Sequence, residues 1–198
     1  MDPQLLDEIP LPDAEVVGED GLTPTQRRSA RIALALIGPL TALLLALILV
    51  FFVFFDTTTI DGASMYPTLF NNDYVLITKG LALPRRGDVV VLHVLYQGRK
   101  EEWVKRIVAL GGDRVNVSGN MITVNGAGEQ FPHMIINGGA TQPVEQVTVP
   151  AGQIFVAGDN RDVSLDSRFV GTFPVTSIHG RAVAIYAPIE RIGLVPEP

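Results

Sequence analysis

The chain has 198 residues, a formal net charge of −6 and no cysteine. The absence of cysteine excludes disulfides, thiolate metal sites and thiol nucleophiles. No run of basic residues with interleaved aromatic residues is present, so nucleic acid is not an expected ligand.

Residues 1–31 are predicted to form a disordered tail. Residues 1–20 hold seven acidic residues and no basic residue, which leaves 14 acidic and 15 basic residues in the rest of the chain. A segment with this charge, three prolines and little aromatic content cannot bury enough surface to offset its chain entropy. Arg27, Arg28 and Arg31 make the end of the tail rich in arginine.

Residues 32–55 form an uncharged apolar stretch and are predicted to be a transmembrane helix. As a helix, these 24 residues would span about 36 Å, enough to cross a hydrocarbon core of about 30 Å. Gly38-Pro39 should give at most a kink. Because arginines precede the stretch and Asp56 follows it, the tail is expected in the cytoplasm and residues 56–198 outside the plasma membrane. A cleavable secretory signal is the alternative, but its apolar region would be about 7–15 residues long.

Residues 56–198 are predicted to form an extracytoplasmic, mostly β domain. No long helical period with caps occurs in them, so we expect coiled antiparallel sheets that are partly barrel-like. Gly119-Asn120 is typical of a two-residue hairpin turn, and residues 126–143, rich in glycine and proline, indicate a long surface loop. The predicted strands are short and rich in valine, isoleucine and aromatic residues. They are Tyr74–Thr78, Asp88–Leu95, Glu102–Leu110, Arg114–Ser118, Met121–Val124, Gln146–Val149, Gln153–Ala157 and Gly180–Ala187.

Ser64 is the first candidate site residue. Two small residues, Gly62 and Ala63, precede it, and Pro67 restrains the backbone three residues later. A backbone of this kind can approach a carbonyl group closely. Taken alone, however, such a segment is more often a plain turn.

Lys105 is the second candidate, because it lies in a predicted strand among apolar neighbours. Alternation places Trp103 and Ile107 on the same face as Lys105, while Val104 and Arg106 point away. Burial there would lower the pKa of the amine, and a neutral lysine is a competent base. A lysine that reaches solvent or forms an ion pair is the alternative, and without a nearby nucleophile it is the better one.

The third candidate region is Gly158–Gly171, a cluster of carboxylates, arginines and hydroxyls between two glycines. Charge-assisted hydrogen bonds within it could hold a loop, and Ser164 could orient the lysine. A calcium loop is the alternative, but the EF-hand spacing is missing and two arginines oppose a cation, so no metal site is expected. The charged residues expected to hold the loop are Asp159, Arg161, Asp166 and Arg168.

These segments, in this order behind an apolar helix, resemble bacterial type I signal peptidases in their compact, single-span form. The resemblance implies a membrane-bound serine protease that removes leader peptides from exported proteins. It implies that Ser64 is the nucleophile and Lys105 the general base. Ser164 would then orient the lysine, Asp166 and Arg168 would brace its loop, and Asp159 and Arg161 would be structural supports. The matching boxes are Ser64–Leu69, Arg86–Val91, Val104–Ile107 with Gly112–Val115, and Gly158–Gly171.

The resemblance also implies a substrate and a location. Cleavage is expected after small-x-small sequences such as Ala-x-Ala, through an acyl-enzyme and without a metal or organic cofactor. The implied partners are signal peptides, the lipid bilayer and, transiently, the secretion translocon. Apolar residues near the anchor are expected to be exposed and to touch the lipid surface. They are Met65, Phe70, Leu81 and Leu83.

The chain departs from the family pattern at two glycines. Gly111 stands where a proline is usual, which alters the turn but not the base. Gly62 stands where some members carry a serine that assists the oxyanion hole, so a second oxyanion donor is not assigned.

Four alternatives stay open to different degrees. A histidine base is disfavoured because His93, His133 and His179 lack a triad context. The self-cleaving repressors of the SOS response share a Ser/Lys dyad but have no membrane span. A peptidase dedicated to pilins or conjugation proteins, and a catalytically silent anchored β domain that binds peptides, are harder to exclude.

Overall fold

The computed structural model describes residues 21, 23–80, 83–129, 131, 134–136 and 146–196. Four predictions fall wholly or largely outside these residues. They are the acidic tail at 1–20, the loop at 126–143, the lipid contact of Leu81 and the exclusion of His133.

The apolar segment forms one long helix, α1, over Pro24–Phe54. Its start is set by a capping box, in which the Thr23 amide donates to Gln26 Oε1 (2.9 Å) and the Gln26 amide to Thr23 Oγ1 (3.3 Å), with proline at the first helical position. The predicted boundaries are therefore corrected: the arginines of the tail lie inside α1, and Phe55 belongs to a strand. Pro39 does not end the helix.

By length and composition α1 can cross a membrane. Its most apolar window of 18 residues has a mean hydropathy of 2.8, and none of that window is buried.

In the part of the chain that the structure describes, the first sheet of the folded domain has eight strands in the order β1-β2-β11-β3-β4-β9-β10, with β12 beside β11. All of its neighbouring strands are antiparallel. Their bounds are β1 Phe55–Thr59, β2 Tyr74–Lys79, β3 Val89–Tyr96, β4 Arg99–Leu110, β9 Gln153–Ala157, β10 Phe173–Pro174, β11 Ile178–Ala187 and β12 Gly193–Leu194.

This sheet is rolled. Thr58 of β1 donates a hydrogen bond to Glu102 of β4, although three strands, β2, β11 and β3, lie between them in the sheet. Flat strands that far apart would be separated by about 19 Å. Among the described residues no backbone pairing joins β1 to β4, so the rolled part has an open seam between these two strands.

The second sheet has four strands in the order β7-β6-β5-β8. Ser118 pairs with Met121, which leaves Gly119-Asn120 as the predicted two-residue turn. Gly119 has a φ of +61°, a conformation that suits glycine. The bounds are β5 Arg114–Ser118, β6 Met121–Val124, β7 Ala127–Gly128 and β8 Val147–Thr148.

The described residues of the domain form three apolar clusters. One lies between the second sheet and β9, one lies beneath the segment that contains Ser64, and one includes Trp103 and Ile107. Val104 packs against the second of these clusters, so β4 contributes to a different core from each face, as its alternation predicts.

All eight predicted strands are present, most with ends shifted by a few residues. Four strands were not predicted, namely β1, β7, β10 and β12.

Candidate active site

Ser64 lies in an irregular segment between β1 and β2 whose two ends are hydrogen-bonded to each other. The Ile60 amide donates to the Asp73 carbonyl (2.9 Å), and the Asn72 amide to the Ile60 carbonyl (2.8 Å). The Asn160 amide donates to the Ser64 carbonyl (2.9 Å). The half-buried serine is thus held by the Gly158–Gly171 segment as well as by its own turn.

Lys105 lies where β4 passes from one partner strand to the next. It pairs with Val90 of β3, and the pairing with β9 begins one residue later. Its side chain is only 5% exposed. The amine Nζ donates to Ser64 Oγ at 2.9 Å and to the Val104 carbonyl at 3.0 Å. A solvent-reaching lysine is therefore excluded, and the amine contacts the hydroxyl predicted to be the nucleophile.

Burial lowers the pKa of Lys105 to about 8. The main cause is the loss of water around the ammonium ion, and the nearby Arg168 acts in the same direction, while Asp166 opposes both. An amine with this pKa is neutral in a large fraction of molecules near pH 8, so it can accept a proton.

Asp166 and Arg168 form a buried ion pair. Arg168 Nε and Nη2 each lie 2.8 Å from a carboxylate oxygen of Asp166. Asp166 also caps the short helix α2, Ser167–Val170, and accepts from the Gly158 amide. Arg168 donates to the Ser164 carbonyl at 3.3 Å, which links the pair to the loop that carries Ser164.

Asp159 and Arg161 do not pair with each other. Asp159 is fully buried and accepts two hydrogen bonds from Arg106, at 2.8 and 2.7 Å, and one from Thr68 at 2.5 Å. Arg161 forms an ion pair with Glu129 instead. Burial raises the pKa of the Glu129 carboxyl, and Arg161 opposes this shift. Asp159 and Arg161 both lie in the interior, as a supporting role requires.

Ser164 does not contact the lysine amine in this structure. Its hydroxyl is buried and has no hydrogen-bond partner among the described residues. A Cβ added to Gly158 would come within 3.0 Å of both Ser164 Oγ and the Ser64 carbonyl. The hydroxyl therefore lies close to the nucleophile segment, and a buried polar group without a partner is uncommon in proteins. The expected Ser164–Lys105 bond stays a prediction.

Two supporting residues were not singled out from the sequence. Arg106 was assigned only to the opposite face from Lys105, yet it binds Asp159. Asn120 was interpreted only as a turn residue, yet it is 4% exposed. It accepts from Arg168 at 3.1 Å and donates to Asp162 at 2.5 Å. No local sequence signal marks these contacts, because each joins segments far apart in the chain.

A cleft of about 580 Å³ leads away from Ser64 and Lys105, between the two edges of the open seam. One wall is formed by Thr59–Met65 and the other by Glu102–Lys105. Val163 and Leu165 complete the lining.

The residues expected at the lipid surface differ in exposure. Met65 is 1% exposed and packs in the core cluster beneath Ser64, so its assignment to an exposed surface is wrong. Phe70 is partly buried, with the guanidinium of Arg191 3.7 Å from its ring centre. Leu83 is 80% exposed and stays a candidate.

Neither described histidine contacts Ser64. His93 and His179 stack on each other, with ring centres 4.5 Å apart. Their ring nitrogens face Glu102 and Asp56, respectively. Within the described part of the chain, no group of three or more histidine or carboxylate side chains is placed to hold a metal ion.

Comparison with known proteins decides the family. The model of the family described as "Signal peptidase, peptidase S26" matches residues 33–187, which is more than half of the chain. The chain belongs to this family. It is therefore a serine endopeptidase of the signal peptidase type.

Individual relatives agree with this assignment. Signal peptidase I of Leptolyngbya laminosa is 35% identical over 70% of this chain and 72% of its own length. Signal peptidase I of Bacillus caldolyticus is 33% identical over 69% of this chain and 82% of its own length. Signal peptidase I P of Bacillus subtilis subsp. natto is 34% identical over 76% of this chain and 89% of its own length.

A solved structure of a signal peptidase I from Enterococcus faecalis V583 is 26% identical, with a TM-score of 0.42. The match covers 52% of this chain and 98% of that chain. A TM-score this low does not by itself establish a shared fold.

In this signal peptidase, the close approach of Gly158 to Ser64 gives a testable expectation. In Gly158→Ala, the new methyl group must displace either Ser164 or the Ser64 backbone. A misplacement of about 1 Å costs roughly 100-fold in rate, so we expect kcat/KM for a leader-bearing preprotein to fall by about that factor. Gly128→Ala is the control, because its added methyl group would meet open space. Wild-type kcat/KM in Gly158→Ala would show that the two segments are not tightly packed.

Proposed function

We propose that this chain is a membrane-anchored signal peptidase I in which Ser64 attacks the scissile carbonyl and Lys105 acts as general base. One observation carries the proposal: the Lys105 amine, with a pKa lowered to about 8, donates to Ser64 Oγ at 2.9 Å. General bases act within about 2.6–3.2 Å of the proton that they remove. Both geometry and pKa are therefore suited to this role.

The reaction proceeds in two stages. The neutral Lys105 amine takes the proton of Ser64 as Oγ bonds to the substrate carbonyl carbon, and the ammonium ion then protonates the leaving amine of the mature protein. The leader remains as an ester on Ser64. Lys105, neutral again, removes a proton from water, which attacks the ester carbonyl carbon. The ammonium ion then returns this proton to Ser64 Oγ as the bond to the leader breaks, which releases the leader and restores the enzyme.

The oxyanion formed at each stage needs preorganised hydrogen-bond donors. We assign the Ser64 backbone amide as one donor. Gly62 offers no second donor in this structure, because it has no side chain and its amide donates to Asn71 Oδ1 at 2.7 Å.

Ser164 is proposed to hold the lysine amine in register once substrate binds. Catalytic hydrogen bonds are often long or absent before the substrate is present, and the unpaired Ser164 hydroxyl is available as an acceptor. Asp166 and Arg168 brace its loop, while Asp159 and Arg161 support the site from the interior.

The proposed substrates are exported preproteins cut after a small-x-small sequence such as Ala-x-Ala. The cleft is lined largely by apolar residues, among them Val104, Val163 and Leu165. Apolar walls without deep polar pockets suit small side chains better than charged ones.

The proposed setting is the plasma membrane, crossed once by α1. The arginines before the apolar stretch support a tail in the cytoplasm and a domain that carries Ser64 on the outside. Leu83 and Phe70 are proposed to touch the lipid surface, and contact with the secretion translocon is proposed to be transient.

The test is cleavage with mapping of the product. The detergent-solubilised full chain and its Ser64→Ala variant are incubated with an exported preprotein that carries an Ala-x-Ala site. We expect only the wild type to produce a new N-terminus directly after that site, as read by mass spectrometry. Absence of cleavage, together with cleavage of a pilin or conjugation precursor, would favour a specialised peptidase. Equal cleavage by Ser64→Ala would overturn the assignment of the nucleophile.

A further inference from the structure

Glu102 lies in the wall of the cleft, away from the reacting groups. It precedes Lys105 by three positions in β4, which corresponds to about 10 Å along the strand. Its side chain is 40% exposed. Alternation along β4 turns this side chain to the face opposite Lys105, and Glu102 lines the cleft there, so its carboxylate is open to a peptide that follows the edge of β4.

The Glu102 carboxylate is not neutralised by a lysine or arginine among the described residues. One oxygen accepts from the hydroxyl of Thr58, which lies across the seam in β1. The other lies 3.5 Å from Nε2 of His93. The contacts hold the carboxylate in place across the cleft, but neither partner carries a permanent positive charge.

The charged side chains of the cleft lining have an acidic bias. They are Asp61, Glu102 and Lys105, and Lys105 is neutral when it acts as a base. A peptide in the cleft is therefore exposed to a negative potential, which attracts basic side chains and repels acidic ones.

The path of the chain suggests how a leader is aligned. This chain leaves its apolar helix at Phe54, runs through β1 and reaches Ser64 ten residues later. We take a leader, whose apolar segment likewise precedes the residues that reach Ser64, to run along the cleft in the direction of β1. If the residue before the scissile bond is level with Lys105, the fourth residue before the bond is level with Glu102.

We propose that Glu102 is a specificity-determining residue that favours leader peptides with a basic side chain four residues before the scissile bond and disfavours an acidic one there. This inference rests on the proposed function, because it assumes that leaders occupy the cleft.

The test uses three preproteins that differ only at this position, with lysine, glutamine or glutamate. They compete for the solubilised full chain at low salt, and the ratios of kcat/KM are measured. We expect lysine to be favoured over glutamate by about 2- to 5-fold, within the range of exposed charge pairs. The ratio should fall toward one in Glu102→Gln and should shrink in about 0.5 M salt.

Glu101→Gln is the matched control. It removes the same charge from the adjacent residue, but the Glu101 carboxylate accepts from Trp103 Nε1 at 2.7 Å and does not line the cleft. We expect this variant to keep the wild-type ratio. A lysine-to-glutamate ratio near one in the wild type, or an unchanged ratio in Glu102→Gln, would overturn the proposal.

A binding measurement separates this proposal from the proposed function. Fluorescent leader peptides with the same three substitutions are bound to Ser64→Ala and followed by anisotropy. If the glutamine preprotein is not cut by the wild type but the lysine peptide binds better than the glutamate peptide, the role of Glu102 stands and the peptidase assignment fails. If the preprotein is cut but neither binding nor rate depends on the charge at this position, the peptidase assignment stands and the role of Glu102 fails. Absence of peptide binding would overturn the role of Glu102.

Discussion

Lys105→Met is expected to lower kcat by about 10³-fold or more while leaving the fold intact. Methionine keeps an unbranched side chain of similar length and removes only the group that accepts the proton. General-base catalysis typically contributes 10²- to 10⁴-fold, and residues that act as a unit lose most of their effect together. The buried site accepts an apolar side chain readily, because the structure must already desolvate the amine there. The measurement is single-turnover cleavage of the Ala-x-Ala preprotein.

Lys100→Met is the matched control for this variant. Lys100 lies on the same strand, is exposed to solvent and does not line the cleft. We expect its rate to stay within about twofold of wild type, as is usual for surface substitutions. If Lys105→Met retained wild-type cleavage while circular dichroism showed an unchanged fold, the lysine would not be the base.

Asp159→Ala is expected to destabilise the domain by about 3–5 kcal/mol. The substitution leaves the guanidinium of Arg106 buried without a counter-charge, and breaking one partner of a buried pair has a cost of this size. Arg106 is 2% exposed, and its remaining acceptors are the carbonyls of Gly87 and Pro196 and the Thr68 hydroxyl. Urea unfolding of the full chain in detergent can be followed through Trp103, the single tryptophan.

Two further variants test whether the loss of stability in Asp159→Ala comes from the buried ion pair. Asp56→Ala removes a carboxylate that is 41% exposed and is paired with Lys79, so we expect a loss below about 1 kcal/mol. Removing both charges of the buried pair, in Arg106→Met with Asp159→Leu, should recover part of the stability lost in Asp159→Ala. If Asp159→Ala lost no more than Asp56→Ala, the buried pair would not hold the domain together.

Much of the fold could be predicted because most of its β strands have a recognisable local sequence pattern. The eight predicted strands alternate or are continuously apolar between turn residues, and each of them exists. β10 and β12 could not be predicted, since two residues carry no periodicity and pair only because the chain returns to the sheet. β1 was missed for another reason: Phe55–Thr59 has three threonines, which favour strands, but it directly follows the apolar helix and was divided between helix and connection.

The helix start was also readable from sequence. Thr23 and Gln26, with Pro24 between them, have the spacing of a capping box. The absence of charge in residues 32–55 marks the apolar stretch and not the hydrogen-bonded helix, so it predicts a helix start that is too late.

Within the site, the sequence predicted properties that depend on neighbouring residues of one segment, but not contacts between distant segments. Alternation in β4 predicted that Lys105 is flanked by apolar side chains and is therefore desolvated, which its lowered pKa reflects. Asp166 and Arg168 are close in sequence and do pair. The partner of Asp159 could not be predicted, since Arg106 is 53 residues away and reaches it only through the pairing of β4 with β9. The same holds for Asn120, which a turn motif places but whose contact with Arg168 needs the packing of two sheets.

The most direct test of the account is the pH dependence of kcat/KM for the wild-type chain between pH 6 and 10. This quantity reports the ionisation of the free enzyme. Protonated Lys105 cannot accept the serine proton, so activity should be full above the lysine pKa and should fall as the pH drops through it. With the pKa of Lys105 lowered to about 8, we expect a midpoint near pH 8 and a tenfold fall per pH unit below it. Two preproteins with different residues around the cut site exclude ionisation of the substrate as the cause. A rate that stays constant from pH 9 to pH 6 would contradict the assignment of neutral Lys105 as the base.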